Sequence, residues 1–373
     1  MAELAQAPEL SLIELLKKGQ EQCRAVTSQK RPVACWSKPN PDLGVALTVL
    51  EAAANSIENG STRLTLLYQN STDAGSRASV VEEMKGFCEH LISSLFVVTN
   101  AGATDSLRRF ASFGIQSILH SLLELVNELR TGSEERLASL TGAVWEACKA
   151  TARSTPKSNK LAYRRELMEW SLGVKDMVDE FAQAVEESQA LQEADNEAGS
   201  STSTEDLQHQ LGGIQLQDSE EFSLEDVCDL GEALDDEKFL PEECEVALAV
   251  IDLFKTVRGC IKVANDAMNA SPVEEQQVKR LLDWVQGVLP PLRDMKECSV
   301  ELGSELYTMV PTALEQQVKA LERCNERFLN AFTLGTGEAA ATEQMAVTAA
   351  GIRERVQPKM ARANAAIKSL PQR

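Results

Sequence analysis

Apolar residues return every third or fourth position through most of this 373-residue chain, and that spacing admits one kind of secondary structure. Leu12, Leu15, Leu16, Cys23 and Val26 form one stripe; Leu43, Leu47, Leu50, Ala54 and Ile57 form a second; Val80, Met84, Phe87, Leu91 and Leu95 form a third. A half-buried strand needs period two, because its side chains alternate between faces, whereas these runs have the 3.6 period of a helix. The fourth segment, SLRRFASFGIQSILHSLLELVNELR, carries Leu107, Phe110, Ile115, Ile118, Leu122 and Leu129, an apolar face wide enough for the middle of a bundle. Punctuation falls between the stripes. Three prolines interrupt RPVACWSKPNP, AGATD is a turn, Gly132 is a helix stop followed by Ser133 as an N-cap, and Pro156 ends the fifth helix. Asn59-Gly60 is a weak point within the second. A sixth helix, from Asn159 to about Glu187, places Leu167, Trp170, Val174, Val178, Phe181 and Val185 on one side. Six helices joined by short loops imply antiparallel neighbours. A hydrophobic content of 43% with only 5% aromatic residues suits Ala- and Leu-rich helices better than a sandwich or barrel.

The pattern stops between Ser188 and about Phe239. From Glu186 to Glu245 there are 20 Asp and Glu against the single Lys238, so nearly all of the chain's net charge of -20 sits in that one stretch. Ten carboxylates and no basic residue lie between Asp218 and Glu237 alone. Self-repulsion and few large side chains predict a flexible linker. Within it, Phe222, Leu224, Val227, Leu230 and Leu234 are spaced so that the segment can become a short amphipathic helix against a basic groove with an apolar floor. Helical spacing resumes at Pro241, which suits a first helical turn with Glu242 and Glu243 behind it. Ser271 reads as an N-cap with Pro272 behind it, Pro290-Pro291 as a break or sharp kink, and a last helix runs from about Ala339 to Leu370. The expected architecture is all-α, two antiparallel helical bundles joined by a disordered acidic linker. Residues 1–192 make the first bundle, 193–239 the linker and 240–373 the second bundle.

Candidate chemistry is sparse. His90, His120 and His209 stand in no HExxH or ExxH spacing. The nine cysteines form no CxxC, so they read as reduced thiols of a cytosolic or nuclear protein rather than as ligands. Phosphate-cradling glycine motifs and a strand-to-helix nucleophile elbow are missing too, and no catalytic residue, cofactor or metal is expected. No run approaches the roughly 18 to 20 apolar residues of a membrane span, and the start of the chain does not read as a signal peptide. The acidic balance disfavours direct nucleic-acid binding. Leu314, Leu321 and Phe328 repeat every seven residues, with Val318, Asn325 and Phe332 between, which fits a short zipper or packing inside a bundle. Two basic clusters, Lys149, Arg153, Lys157, Lys160, Arg164 and Arg165, and Arg353, Arg355, Lys359, Arg362 and Lys368, read as solvated faces or as receptors for the acidic stretch.

From Val144 the sequence reads VWEACKATARSTPKSNKLAYRRELMEWSLGVKDMVDEFAQAVEE. The motif residues Val144, Trp145, Cys148, Asn159, Lys160, Val174, Asp176, Gln183, Ala184, Val185, Glu186 and Glu187, followed by an acidic, Ser-rich tail, resemble the D-type cyclin-binding protein family, also called GCIP, whose members are Id-like negative regulators. The helices GFCEHLISSLF and SLRRFASFGIQSILHSLLELVNEL look like the family's preceding ones. Weaker similarity continues through SELYTMVPTALEQQVKALERCNERFLNA. The resemblance implies a non-enzymatic protein of nucleus and cytoplasm that binds a D-type cyclin and helix-loop-helix transcription factors and restrains cell-cycle progression. This chain lacks a clean helix-loop-helix pair, and its basic last helix matches the family poorly. The alternative reading from the helices alone is a vinculin- or catenin-like bundle adaptor for cytoskeletal partners.

Overall fold

The structure, a computed structural model, describes residues 8–27, 41–131, 136–199, 239–270, 275–334 and 339–371. Every regular element among them is a helix: α1 (Pro8–Thr27), α2 (Pro41–Asn70), α3 (Ala74–Asn100), α4 (Asp105–Thr131), α5 (Leu137–Ser154), α6 (Asn159–Gly199), α7 (Pro241–Ala270), α8 (Glu275–Thr308), α9 (Pro311–Thr333) and α10 (Ala339–Ser369). The chain divides into two compact units, one of Met1–Met168 with Ala270–Leu282 and one of Glu169–Asn269 with Asp283–Arg373.

In the first unit α4 is central. Its buried side includes Leu107, Ala111, Ile115, Ile118, Leu119, Leu122, Leu125, Val126 and Leu129, more than one stripe's width. It packs against α1, α3 and α5, while α2 lies on α3 and α5. Each wholly buried Leu or Ile on such a face contributes about 2 kcal/mol over an exposed one. Two glycines set how closely helices approach. At Gly60 a Cβ would stand 2.8 Å from Met84 Cε on α3, and at Gly114 it would stand 2.6 Å from Thr151 Cγ2 on α5. The weak point expected at Asn59-Gly60 is thus a crossing inside an unbroken α2, where tertiary packing outweighs a propensity cost of about 1 kcal/mol.

One side chain fastens the α3–α4 turn. Asn159, wholly buried at the start of α6, accepts from the Thr104 amide at 2.7 Å and donates through Nδ2 to the Gly102 carbonyl at 3.0 Å. Gly102 has φ 91°, a region glycine enters freely. Thr104 Oγ1 accepts from the Leu107 amide and so caps α4.

In the second unit, Phe181 of α6 meets Phe254 of α7 and Tyr307 of α8, with ring centroids 6.2 and 5.3 Å away. Trp284 of α8 donates to the Phe332 carbonyl of α9, and Lys359 and Arg362 of α10 reach Asp252 of α7. Pro241 opens α7, and the Glu243 carboxylate turns back to accept from the Leu240 amide at 2.8 Å, one arm of a capping box. One expectation needs correction. Pro290 and Pro291 do not break their helix: α8 runs through both, because Val285, Val288, Leu289, Leu292 and Met295 continue one buried stripe across them. Five such burials, about 2 kcal/mol each, outweigh the roughly 3 kcal/mol lost at each of the two interior prolines. α6 extends to Gly199, past the expected end near Glu187, and Phe239 is buried, its amide donating to Ser188 Oγ and its carbonyl accepting from Gln192. The acidic stretch from 200 to 238, the caps assigned to Gly132 and Ser133, and the start assigned to Ser271 lie outside the described residues.

Replacing Gly114 with Ala should force α4 and α5 apart and lower stability by about 1–3 kcal/mol, whereas Gly142→Ala, where no atom lies within 4 Å of the new methyl, should raise it by about 1 kcal/mol. Urea midpoints of the two variants, compared with the unmodified chain, check both signs. Asn159→Leu leaves two buried backbone groups unsatisfied and should cost about 2–4 kcal/mol by the same measurement.

Candidate functional site

α5 buries Leu137, Thr141, Val144, Ala147, Cys148 and Thr151, a spacing that leaves Trp145 at the edge facing α2. Trp145 is 36% exposed, and its indole N–H donates to Thr62 Oγ1 of α2 at 3.1 Å. One turn along α5, Lys149 Nζ lies 5.9 Å from the indole centroid and 3.5 Å from Glu58 of α2. Leu66, four residues beyond Thr62, is 52% exposed. Beneath them Thr65 and Thr141 share a buried hydroxyl hydrogen bond of 2.7 Å. Further along the same seam, Lys157 bridges to Glu51 at 3.1 Å. There a shallow open depression has Leu47, Leu50 and Ala54 on one side and Thr151, Ala152 and Thr155 on the other.

This seam has an apolar floor and an ion-paired rim. Each rim pair is partly solvated and contributes at most about 1 kcal/mol, so its charges can be redirected to a partner at small cost. A half-exposed Trp with a satisfied N–H offers a large apolar area and a fixed orientation, the properties that concentrate binding energy in interfaces. Nucleophilic chemistry has little support. Cys148, under the seam, has its thiol pushed up to about 12 by burial first and the nearby Glu58 second. Burial does the same to Cys23 and Cys260. Thiols so raised are almost entirely protonated near neutrality. Among the described residues no three His, Cys, Asp or Glu side chains gather as metal ligands do, and no helix is long and apolar enough to cross a membrane.

The structure distributes the remaining motif residues between interior and surface. Val144, Cys148, Asn159, Val174 and Val185 are buried. Lys160 is half-buried, as is Ala184, whose carbonyl accepts from Ser188 Oγ. Asp176, Gln183, Glu186 and Glu187 are exposed on α6, where Gln183 donates to Glu187 at 2.8 Å. Leu314, Leu321 and Phe328 are at most 1% exposed inside the second unit, so the heptad spacing is packing within a bundle and not a free zipper face. Asn325, between them, lies buried against Cys260. Phe222, Leu224, Val227 and Leu230 lie outside the described residues, as does His209, while His90 and His120 are at the surface. In the basic last helix, Lys359 and Arg362 are spent on α7 and Arg353 on Glu326 of α9.

A buried polar cluster was missed by sequence reasoning. Arg108 and Glu166 are wholly buried: Arg108 pairs with Asp105, and Glu166 accepts from Ser106 and pairs with Arg109 at 2.6 Å. Tyr163 joins it, its phenol pushed far up by burial, then by Asp105 and Glu166. A signal existed, since Arg108 falls in register with Ala111, Ile115 and Ile118 on the apolar face of α4.

Trp145, Lys149, Glu58, Glu51 and Asn159 all fall within residues 49–187, which match the family model described as Grap2 and cyclin-D-interacting, N-terminal. The weaker similarity downstream of Ser304 lies beyond that match. No curated protein matches the chain. The family is named for interaction with Grap2 and cyclin D, and residues 49–187 of the chain are similar to its N-terminal part.

Proposed function

We propose that this chain is a non-enzymatic regulatory protein of nucleus and cytoplasm that binds a D-type cyclin and helix-loop-helix transcription factors and restrains cell-cycle progression and transcription. The observation that carries this reading is the match of residues 49–187 to the Grap2 and cyclin-D-interacting family, because the Trp145 seam lies inside it. The mechanism is occupation of helical surfaces. Trp145 and Leu66 supply the apolar anchor, and the Glu51, Glu58, Lys149 and Lys157 rim exchanges its internal pairs for partner charges. A partner held this way is withheld from its other complexes. For a helix-loop-helix factor the result is an inactive pair, since a chain with a net charge of -20 adds no grip on phosphate.

The full chain should co-precipitate a purified D-type cyclin. The double variant Trp145→Ala with Leu66→Ser should bind at least about tenfold more weakly, an anchor loss of at least about 1.4 kcal/mol. Unchanged binding by that variant would move the contact to another surface. Absence of cyclin binding, with co-sedimentation on actin filaments, would replace the regulator by the cytoskeletal adaptor.

A further inference from the structure

A second surface of the first unit combines aromatic rings with guanidinium groups. Phe110 of α4 packs inward on the cluster of Leu43, Leu47, Val98, Leu107 and Ala162. Its ring is flanked by Arg165 of α6, 5.1 Å from the centroid, and by Arg109, 5.9 Å away. Three residues on, Phe113 shares the same side of α4 and is 74% exposed. Leu161 and Met168 lie four before and three after Arg165 on α6, 46% and 54% exposed. The Arg165–Phe110 contact therefore joins two exposed apolar rows on neighbouring helices.

The local charge is opposite to that of the chain. Arg108, Arg109, Lys160, Arg164 and Arg165 stand against Asp105 and Glu166, with Glu169 following Met168. Arg108 and Glu166 are wholly buried, so the outer layer holds Arg109, Lys160, Arg164 and Arg165 against the exposed Asp105 and Glu169 and is cationic on balance. Like-charge crowding is felt there: the Lys160 ammonium is held below its usual range by partial burial and then by Arg164. Arg165 also donates to the Ser154 carbonyl at 2.6 Å, which fixes its stem across Phe110. Guanidinium forks beside aromatic rings match carboxylates presented by an apolar helix, because each carboxylate can take two N–H donors while its neighbours bury against the rings. A nucleic-acid strand fits less well. Leu161 and Met168 give a phosphate backbone nothing to bind, and the chain's net charge of -20 opposes a long polyanion.

We propose that Phe110 and Phe113 of α4, with Leu161, Arg165 and Met168 of α6, form a docking surface for an acidic amphipathic helix of a partner protein. The proposal rests on the reading of the chain as a binding protein, but it names a surface other than the Trp145 seam and can fail separately from it. The binding mode is helix-in-groove, with apolar anchors at i, i+3, i+4 and i+7 seated on the rings and carboxylates on the flanks. Electrostatics sets its partner choice and its sensitivity to salt.

The probe is a labelled designed peptide of about 18 residues, Leu at those anchor positions and Glu elsewhere, titrated with the full chain by fluorescence anisotropy; the control carries Lys in place of Glu. The acidic peptide should bind at least about tenfold more tightly than the basic one, and Phe113→Ser or Arg165→Glu should weaken it at least about fivefold with the melting temperature kept. Equal binding of the two peptides, or affinity unchanged in Phe113→Ser, overturns the proposal, as does tighter binding of a single-stranded oligonucleotide. Binding seen only after deletion of residues 200–238 would also overturn it, by making the chain's own acidic stretch the occupant. Loss of cyclin binding in the Trp145 variant with peptide binding intact would uphold both surfaces. Peptide binding by a chain that captures no cyclin would remove the proposed function and leave this surface standing.

Discussion

The first unit depends on burial of α4. Leu107, Ile115, Ile118, Leu119, Leu122 and Leu125 are wholly buried, and they offer surfaces to α1, α3 and α5. Because the buried side is wider than one stripe, α4 takes neighbours on more than one flank, which organises α1, α3 and α5 around it. The polar links between these helices, such as Ser112 Oγ to the Cys23 carbonyl at 2.9 Å, add specificity at a fraction of that energy.

The two candidate surfaces lie where core packing stops. Trp145, Leu66, Phe113, Leu161 and Met168 are large apolar side chains on helices whose opposite faces already satisfy the interior. Around the Trp145 seam the charges are balanced in pairs. Around Phe110 they are mainly cationic. One folded unit therefore presents two surfaces of different electrical character, a difference by which partners can be discriminated.

Much of the fold was legible because a helix writes its burial into spacing. The stripes through Leu43 to Ile57 and Val80 to Leu95, and the wide face of the fourth segment, became α2, α3 and α4. Prolines and glycines were less legible, since they report local cost and not the packing that offsets it: Pro290 and Pro291 sit inside α8, and Gly60 is a crossing point. The end of α6 was misplaced for the opposite reason. Its last turns carry little apolar periodicity, yet Ser188 and Gln192 hold Phe239 alongside them, a tertiary contact no local pattern records. At the candidate seam, the motif pointed to Trp145 and Asn159 together, but only coordinates separate a surface residue from a structural clasp.

That clasp needs both ends of an amide. A single primary amide, Asn159 Nδ2 toward Gly102 and Oδ1 toward Thr104, ties the α3–α4 turn to α6. An ionised acid in its place could not donate to the Gly102 carbonyl, and burial would favour its protonated form instead. One side-chain amide thus holds two helix junctions together, and its two ends, one accepting and one donating, are both needed.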